Sequence, residues 1–169
     1  GDKSCGGLVS YPFLAGEPVA GLNDGMPIFA REKDAHMPLS DFMRTNLCSC
    51  FAVLKLGMDL LLMEERVPLK QLTGHGGLFK TRGVAQGLLA AAVNAPVTVL
   101  ENAGEGGAWG IALLAAYMAS GKDRPLGDWL DQEIFASLPG ETMQPDPADV
   151  AGFEAYMVRF RQHLTLEAQ

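Results

Sequence analysis

The sequence lacks a block of basic residues, a cysteine framework and a long hydrophobic run, and each gap closes off a class of function. Thirteen Lys and Arg stand against twenty Asp and Glu, a net charge of −7 with no basic cluster. Neither a nucleic-acid surface nor a polybasic membrane anchor is therefore expected. The longest apolar run, AWGIALLAAYMA from Ala108, is too short and too rich in Gly and Ala to span a bilayer and instead predicts a buried helix. Of only three cysteines, Cys48 and Cys50 lie two apart in a helical pattern and so point to different faces. That spacing predicts neither disulfides nor a zinc site and fits a reducing cytoplasm. His36, His75 and His163 are scattered, without a ligand-spaced partner, so no metal site is expected on these residues. Gly-Asp-Lys opens the chain without an apolar segment, so no signal peptide is expected, and the missing initiator Met suggests a processed or engineered start.

What the sequence has instead is apolar content and glycine. With 169 residues, 48% of them apolar, the chain can bury one substantial core. It holds 20 glycines, above the typical ~7%, and many fall in residues 74–87 and 104–110.

Residues 7–14 predict a short strand and 26–31 a second one. Ser40 is the expected N-cap of a long helix from Asp41 to about Glu65. Met43, Leu47, Phe51, Leu54, Met58 and Leu61 recur along it at three- and four-residue steps, one apolar stripe. Pro68 ends that helix, and a strand over 69–73 leads into the first glycine turn. Helical spacing runs from Gly83 to Asn94, Pro96 stops it, and PVTVLE (96–101) is a β-branched strand. A second glycine turn, NAGEGG, precedes an Ala-rich helix over about 107–119 closed by Gly121. This alternation predicts an α/β fold with parallel strands and crossover helices. Beyond Pro125 the chain turns acidic and aromatic. Pro139, Gly140, Pro145 and Pro147 predict a loop, and a last amphipathic helix runs from Asp149 to about Leu166, with Val150, Phe153, Met157, Phe160 and Leu164 inward.

LTGHGGLFKTRGVAQ (72–86) resembles two phosphate-binding patterns and satisfies neither. Gly74, Lys80 and Thr81 fit a P-loop, but Phe79 occupies the place of its second Gly and would crowd a phosphate. Gly74 and Gly76 begin a dinucleotide fingerprint, and Phe79 again replaces the closing Gly. A strand running through Gly76-Gly77 into a helix leaves backbone N–H groups free for an anion or a nucleotide edge. The same glycines also serve a tight corner and nothing more, and the residues alone leave both readings open. In AGEGGAWG (103–110), Gly107, Ala108, Ala112 and Ala115 favour close packing against a neighbour over ligand contact. Glu105 suits the positive end of that helix. Glu101 at a strand end imitates a Walker-B or ribose-binding acid, a common coincidence. Lys80 and His75 have ordinary surface explanations, Trp109 and Trp129 suit a core or its rim, and no carboxylate spacing marks a catalytic pair.

From Leu8 to Met118 the ordered motifs resemble the C-terminal domain of the FGGY carbohydrate kinases, with wording nearest the xylulokinase-like members. GGLVSYPFLAGEPVAG resembles the family's strand and loop, the helix through Asn46–Leu61 matches in position, and GHGGLFKTRGVAQGLLAAAVNAPVTVLENAGEGGAWGIALLAAY carries its Gly-Gly turn, helix, strand and Gly/Ala helix. The resemblance implies a ribonuclease H-like α/β fold, the C-terminal portion of a member of the actin/hexokinase/Hsp70 ATPase superfamily. It implies that residues 1–121 form part of the nucleotide-side domain and 122–169 a helical extension of it.

In that family the Gly-Gly turn is the adenosine motif. By position, Gly77, Leu78 and Thr81, taken as the residue that starts the helix, would contact adenosine, while Gly76 shapes the turn. Leu78 and Thr81 depart from the Ala or Gly and the Asn or Ser of many relatives. A backbone contact at Leu78 survives that change more readily than a side-chain bond from Thr81. Gln86 matches a helix glutamine taken as structural. The implied reaction moves the γ-phosphoryl of ATP, with Mg²⁺, to a sugar hydroxyl, a pentulose such as xylulose being the expected acceptor. The Asp base, the sugar-binding residues and the phosphate motifs of relatives have no counterpart here. No catalytic residue is therefore assigned in this chain, and the 169 residues alone are expected to be inactive. The expected partners are ATP and a sugar, without nucleic acid or membrane, and a homodimer is compatible with the sequence. Two rival readings stand: a non-enzymatic α/β module of the same superfamily, and a divergent P-loop protein in which Lys80 would hold a triphosphate.

Overall fold

A computed structural model describes the backbone of residues 1–25 and 27–167, and the side chains of these residues as far as Leu164. Near the N-terminus, β1 (Leu8–Tyr11) pairs antiparallel with β2 (Ile28–Arg31) in a two-stranded sheet. Met26, the first residue of the predicted second strand, lies outside the described residues. A second sheet is built in the order β3 (Leu72–Gly74), β4 (Val97–Leu100), β5 (Gly140–Met143). β3 and β4 are parallel, joined by the helix α2 (Val84–Val93). β5 is antiparallel to β4, with Val97 opposite Met143 and Leu100 opposite Gly140. It corrects the loop predicted around Pro139 and Gly140: the prolines bracket a short strand rather than forbid one.

α2 is the centre of the molecule. Ala85, Leu88, Leu89, Ala90, Ala91, Ala92 and Val93 are all buried, because α1 (Leu39–Asp59), α5 (Pro147–Glu167) and β4 all pack against it. A helix covered on every side must be apolar on every side, which AQGLLAAAV is. Gly83 and Asn94 close its two ends in the left-handed region, with φ of 76° and 48°, a conformation that suits Gly and Asn. Its one buried polar side chain, Gln86, donates from Nε2 to Val97 O (2.9 Å) and Glu141 O (2.8 Å). It thereby fastens the helix to β4 and β5, the structural role expected of it.

α5 closes the other side. Phe153, Tyr156, Met157 and Phe160 are fully buried and meet Tyr11 and Phe13, with ring centroids 4.6 Å apart for Tyr11–Phe160. The Tyr11 hydroxyl donates to Phe160 O and that of Tyr156 to Ser10 O, so both phenols enter the core with a partner.

The orientation of α1 corrects the predicted stripe. Its buried residues are Asp41, Thr45, Cys48, Ser49, Phe51, Ala52 and Lys55, whereas Met43, Leu54 and Leu61 are exposed. Polar partners set this rotation. Asp41 accepts from Asp2 N, Arg44 pairs with Asp149 at 2.6 Å, and Lys55 pairs with Asp59 and Glu154 at 2.7 and 2.9 Å. Burial pulls the Lys55 pKa down, but the two carboxylates outweigh it and hold the value above the usual lysine range. Ser40 is not the cap: the helix starts at Leu39 after an extended Pro38, whose carbonyl accepts from Asp41 N.

After Asp59 a single wider turn carries α1 on to Glu64. Leu39–Glu64 is long and apolar enough to cross a membrane, with mean hydropathy 1.6 in its best window. Its ion pairs to α5 argue for a packed helix instead. Cys48 is buried with Cys5 and Cys50 is exposed, all three as free thiols, so the expected divergence of Cys48 and Cys50 holds.

Candidate functional site

The two glycine turns meet at the end of β3 and β4. β3 ends on Gly74, and Gly76 N donates to Ala103 O at 2.8 Å, tying the first turn to the second. Further glycines on both sides make this approach close. A Cβ on Gly74 would lie 2.5 Å from the Phe79 ring, one on Gly104 would lie 2.7 Å from Lys80 Cε, and one on Gly106 would lie 3.0 Å from His75 Nδ1. Side chains of the first turn therefore lie in notches left by glycines: Phe79 in its own turn, Lys80 and His75 in the second. Lys80 also pairs with Glu105 at 3.1 Å.

Gly76, Gly77, Leu78 and Thr81, the predicted adenosine contacts, fall in one loop but differ in setting. Gly76 has φ 107° and precedes a short 3₁₀ turn over Gly77–Lys80. Gly77 and Leu78 open that turn, so their N–H groups have no partner within it, and none among the described residues. A Cβ on Gly76 or Gly77 would meet open space. The backbone here can therefore be approached directly from outside. Leu78 is exposed, and so is Thr81. Thr81 is not at a helix start as expected; it is extended, with φ −86° and ψ 104°, and α2 begins only at Val84. The Gly83 cap breaks the direct run from turn to helix.

Beside the loop is a cleft of about 650 Å³ lined by Phe79, Lys80, Arg82, Gly83, Gln86, Val99 to Glu105, and Pro139 to Glu141. None of the four predicted contacts lines it. It uses other side chains of the same loop, together with residues after β4 and at the start of β5. Arg82, Asn102 and Glu141 were not singled out in the sequence. Asn102 follows Glu101 at a strand end and was within reach of that argument, but Glu141 depends on the unforeseen β5. The cations in the cleft are engaged: Lys80 with Glu105, and Arg82 with Glu141 at 3.8 Å. Asn102 Oδ1 is buried with no hydrogen-bond partner among the described residues. Asn102 thus brings an uncommitted acceptor to the cleft, where a hydrogen-bond donor of a ligand or water would satisfy it.

α3 (Gly106–Ala116), which follows the second turn, does not pack as its small residues suggest. None of its residues is buried. Trp109 meets Phe135 edge-on, and Tyr117 meets the buried Trp129 of the short helix α4 (Leu126–Trp129), so α3 contacts the helical hairpin that it begins.

Comparison with known proteins gives these features a context. A family model described as "FGGY family of carbohydrate kinases, C-terminal domain" matches residues 1–119. No curated protein matches the sequence. Solved structures are similar over almost the whole chain, among them the following three. Ligand-bound xylulose kinase from Lactobacillus acidophilus has TM-score 0.74 and 18% identity, over 98% of this chain and 32% of that one. For gluconate kinase from the same organism the values are 0.73, 16%, 97% and 32%. For xylulose kinase from Rhodospirillum rubrum they are 0.67, 21%, 96% and 31%. At these identities the likeness concerns the fold, and the chain spans about a third of each relative's length.

Proposed function

The chain belongs to the FGGY family of carbohydrate kinases, and on that premise we propose that it is the nucleotide-side part of a longer ATP-dependent sugar kinase. The family is a branch of the actin, hexokinase and Hsp70 ATPase superfamily, and the mixed α/β architecture agrees with that. In this reading the sheet is part of a ribonuclease H-like domain, to which residues 1–121 contribute the nucleotide side and 122–169 the extension. The reading also places the protein in the cytoplasm, where its free thiols stay reduced.

One observation carries the proposal: the Gly76-Gly77 turn presents unpartnered backbone N–H groups with open space where side chains would stand. ATP supplies the phosphoryl group that a sugar hydroxyl attacks. The chain's own residues hold the other end of the nucleotide. Gly77 and Leu78 donate backbone N–H groups to adenosine, the exposed Leu78 side chain covers its apolar face, and the Thr81 hydroxyl stands at the rim. Gly76 holds the turn. In this reading Lys80 serves the turn through its exposed pair with Glu105 rather than holding a phosphate. Among the described residues no three His, Cys, Asp or Glu side chains converge, so in this reading the Mg²⁺ that accompanies ATP would be held by the nucleotide's phosphates and by carboxylates outside this chain. Proton removal from the sugar belongs to residues outside these 169, so the piece alone is inactive.

A pentulose such as xylulose is the proposed acceptor, because two of the similar structures are xylulose kinases. The gluconate kinase is as similar in fold as they are, so an aldonate is the second reading. The test is an ADP-release assay on the full-length protein with ketoses, polyols and aldonates. Turnover with xylulose and not gluconate supports the first reading, and no turnover on any of them refutes the kinase assignment.

A further inference from the structure

Cys5 and Cys48 come from distant parts of the chain and meet in the core. Cys5 lies in the short turn before β1 and Cys48 on α1, and both are 0% exposed. Their thiols share a hydrogen bond. Buried cysteine by itself is only a small apolar filler, but two further features mark this pair. Cys5 has φ 64°, and Gly6 and Gly7 follow at 55° and 83°. Glycine adopts that left-handed backbone freely, whereas a residue with a Cβ is strained there and stays only where its surroundings enforce it. The surroundings are also one-sided in charge. Arg159 donates to Ser4 O, the carbonyl just before Cys5, and Arg44 stands one turn before Cys48, paired with Asp149. Nε of both arginines is buried without a hydrogen-bond partner among the described residues. The hydrogen bond from Cys48, and then the charges of Arg44 and Arg159, hold the Cys5 thiol below its ordinary range against the effect of burial. Donating that bond and being buried push Cys48 up.

We propose that Cys5 and Cys48 form a reversible oxidation site, in which a small hydroperoxide oxidises Cys5 and Cys48 then closes a disulfide with it. The inference is independent of the kinase reading. Both residues rest as free thiols. The Cys5 thiolate attacks one peroxide oxygen and the O–O bond breaks. The sulfur keeps that oxygen as a sulfenic acid, while the departing hydroxide takes up the proton Cys5 had released. The Cys48 sulfur then attacks the Cys5 sulfur, the S–O bond breaks, and the second water leaves with the Cys48 proton. The two sulfurs lose two electrons, and the peroxide oxygens gain them. With its partner already in hydrogen-bond contact, the sulfenic acid is captured before it can be oxidised further. Access comes by opening of the segment that carries Cys5. Its side-chain ties, Asp2 with Ser4 and Lys3 with Asp146 and Asp149, lie largely at the surface, and bonds of that kind hold a segment only weakly.

The test treats the full-length protein with hydrogen peroxide, stops the reaction by alkylation in denaturant, and maps the peptides by mass spectrometry without reduction. Exposed Cys50, whose thiol donates to Asn46 O at 3.3 Å, is the reference thiol. It shares the tryptic peptide 45–55 with Cys48, so the mapping is done on the wild type and on Cys50→Ser. A Cys5–Cys48 cross-link that forms from the folded protein in both, and is lost in dithiothreitol, supports the proposal. Cys5 and Cys48 remaining thiols after Cys50 has been oxidised overturns it. So does a cross-link that forms only in urea, or one that runs to Cys50 and is missing in Cys50→Ser. Dimedone, which traps sulfenic acids, tests the division of roles. In Cys48→Ser it should label Cys5 roughly tenfold more than in the wild type, because nothing then captures the sulfenic acid. In Cys5→Ser, Cys48 should stay unlabelled, and strong labelling of Cys48 there overturns the assignment of Cys5 as the oxidised thiol. The wild-type mapping decides the pair even if a buried serine unfolds either variant.

Discussion

Replacing Gly74 with Ala tests the central packing claim, that Phe79 holds the turn by occupying the notch Gly74 leaves. The added Cβ would lie 2.5, 2.8 and 2.9 Å from three atoms of the Phe79 ring, closer than non-bonded carbons approach. The ring then has two courses. Staying in place means overpacking, which costs about 1–3 kcal/mol. Swinging into solvent forfeits its burial: a half-buried ring withdrawing on the order of 100 Å² at about 25 cal/mol per Å² loses about 2.5 kcal/mol. The cheaper course sets the result, so Gly74→Ala should destabilise by about 1–2.5 kcal/mol. Phe79→Ala should cost about 2.5 kcal/mol by the same area. In the Phe79→Ala background the clash is gone. Gly74 is not in the left-handed region, so adding Ala there should be neutral or stabilise by a few tenths of a kcal/mol. The expected coupling is thus about 2 kcal/mol, well above the ~0.5 kcal/mol seen for independent sites. Urea denaturation of the four proteins of this double-mutant cycle measures it. Equal costs for Gly74→Ala in both backgrounds would refute the reasoning.

The neighbouring glycines separate backbone strain from ligand contact. Gly76→Ala should lose about 1–2 kcal/mol in urea denaturation, because its φ of 107° excludes L side chains. Gly77→Ala should leave stability unchanged but weaken ATP binding to the full-length kinase, measured by calorimetry, by roughly tenfold if a new Cβ holds the nucleotide off the backbone. Gln86→Leu removes the donor shared by Val97 O and Glu141 O and should cost about 1–3 kcal/mol, with protection against hydrogen exchange lost first in β5. At low pH the N-terminal segment should loosen. The hydroxyl and N–H of Ser4 hold the Asp2 carboxyl below its ordinary 3.8, and the Asp149 N–H and the Lys3 ammonium do the same for Asp146. A depressed carboxylate stabilises the fold above its unfolded pKa and loses that contribution as pH falls through the folded value. Urea midpoints should therefore drop below pH ~4, and the drop should be smaller in Asp2→Asn and Asp146→Asn proteins.

Local patterns that answer to one physical cause were legible in the sequence. Pro96 and the β-branched PVTVLE gave β4, and the spacing of Val150, Phe153, Met157, Phe160 and Leu164 gave the buried side of α5, because there a single face meets a single core. The rotation of α1 was not legible. Its apolar residues outnumber what one face can bury, and the choice among faces is made by pairs distant in sequence, Arg44 with Asp149 and Lys55 with Glu154. β5 was hidden for a similar reason. GETM has little strand propensity of its own, and only an open edge on β4 and the Gln86 bond to Glu141 O recruit it. The cleft beside the turn needs β5, so its lining was out of reach.

The glycines make the same point at the site. In sequence Gly74, Gly76 and Gly77 belong to a turn with phosphate-like patterns, and Gly104, Gly106, Gly107 and Gly110 to one that reads as packing. In the structure they divide by what a Cβ would meet. Those at 74, 104 and 106 are notches filled by Phe79, Lys80 and His75. Those at 76, 77, 107 and 110 face open space. The filled notches explain why Phe79, which spoils both phosphate patterns, belongs here: it is the wedge of the turn. A residue needed as the wedge cannot also make room for a β-phosphate, so the proposed adenosine contact falls to the open set. In that set, Gly76 and Gly77 leave the N–H groups of Gly77 and Leu78 bare, where the proposed adenosine contact lies, while Gly107 and Gly110 stand apart on α3.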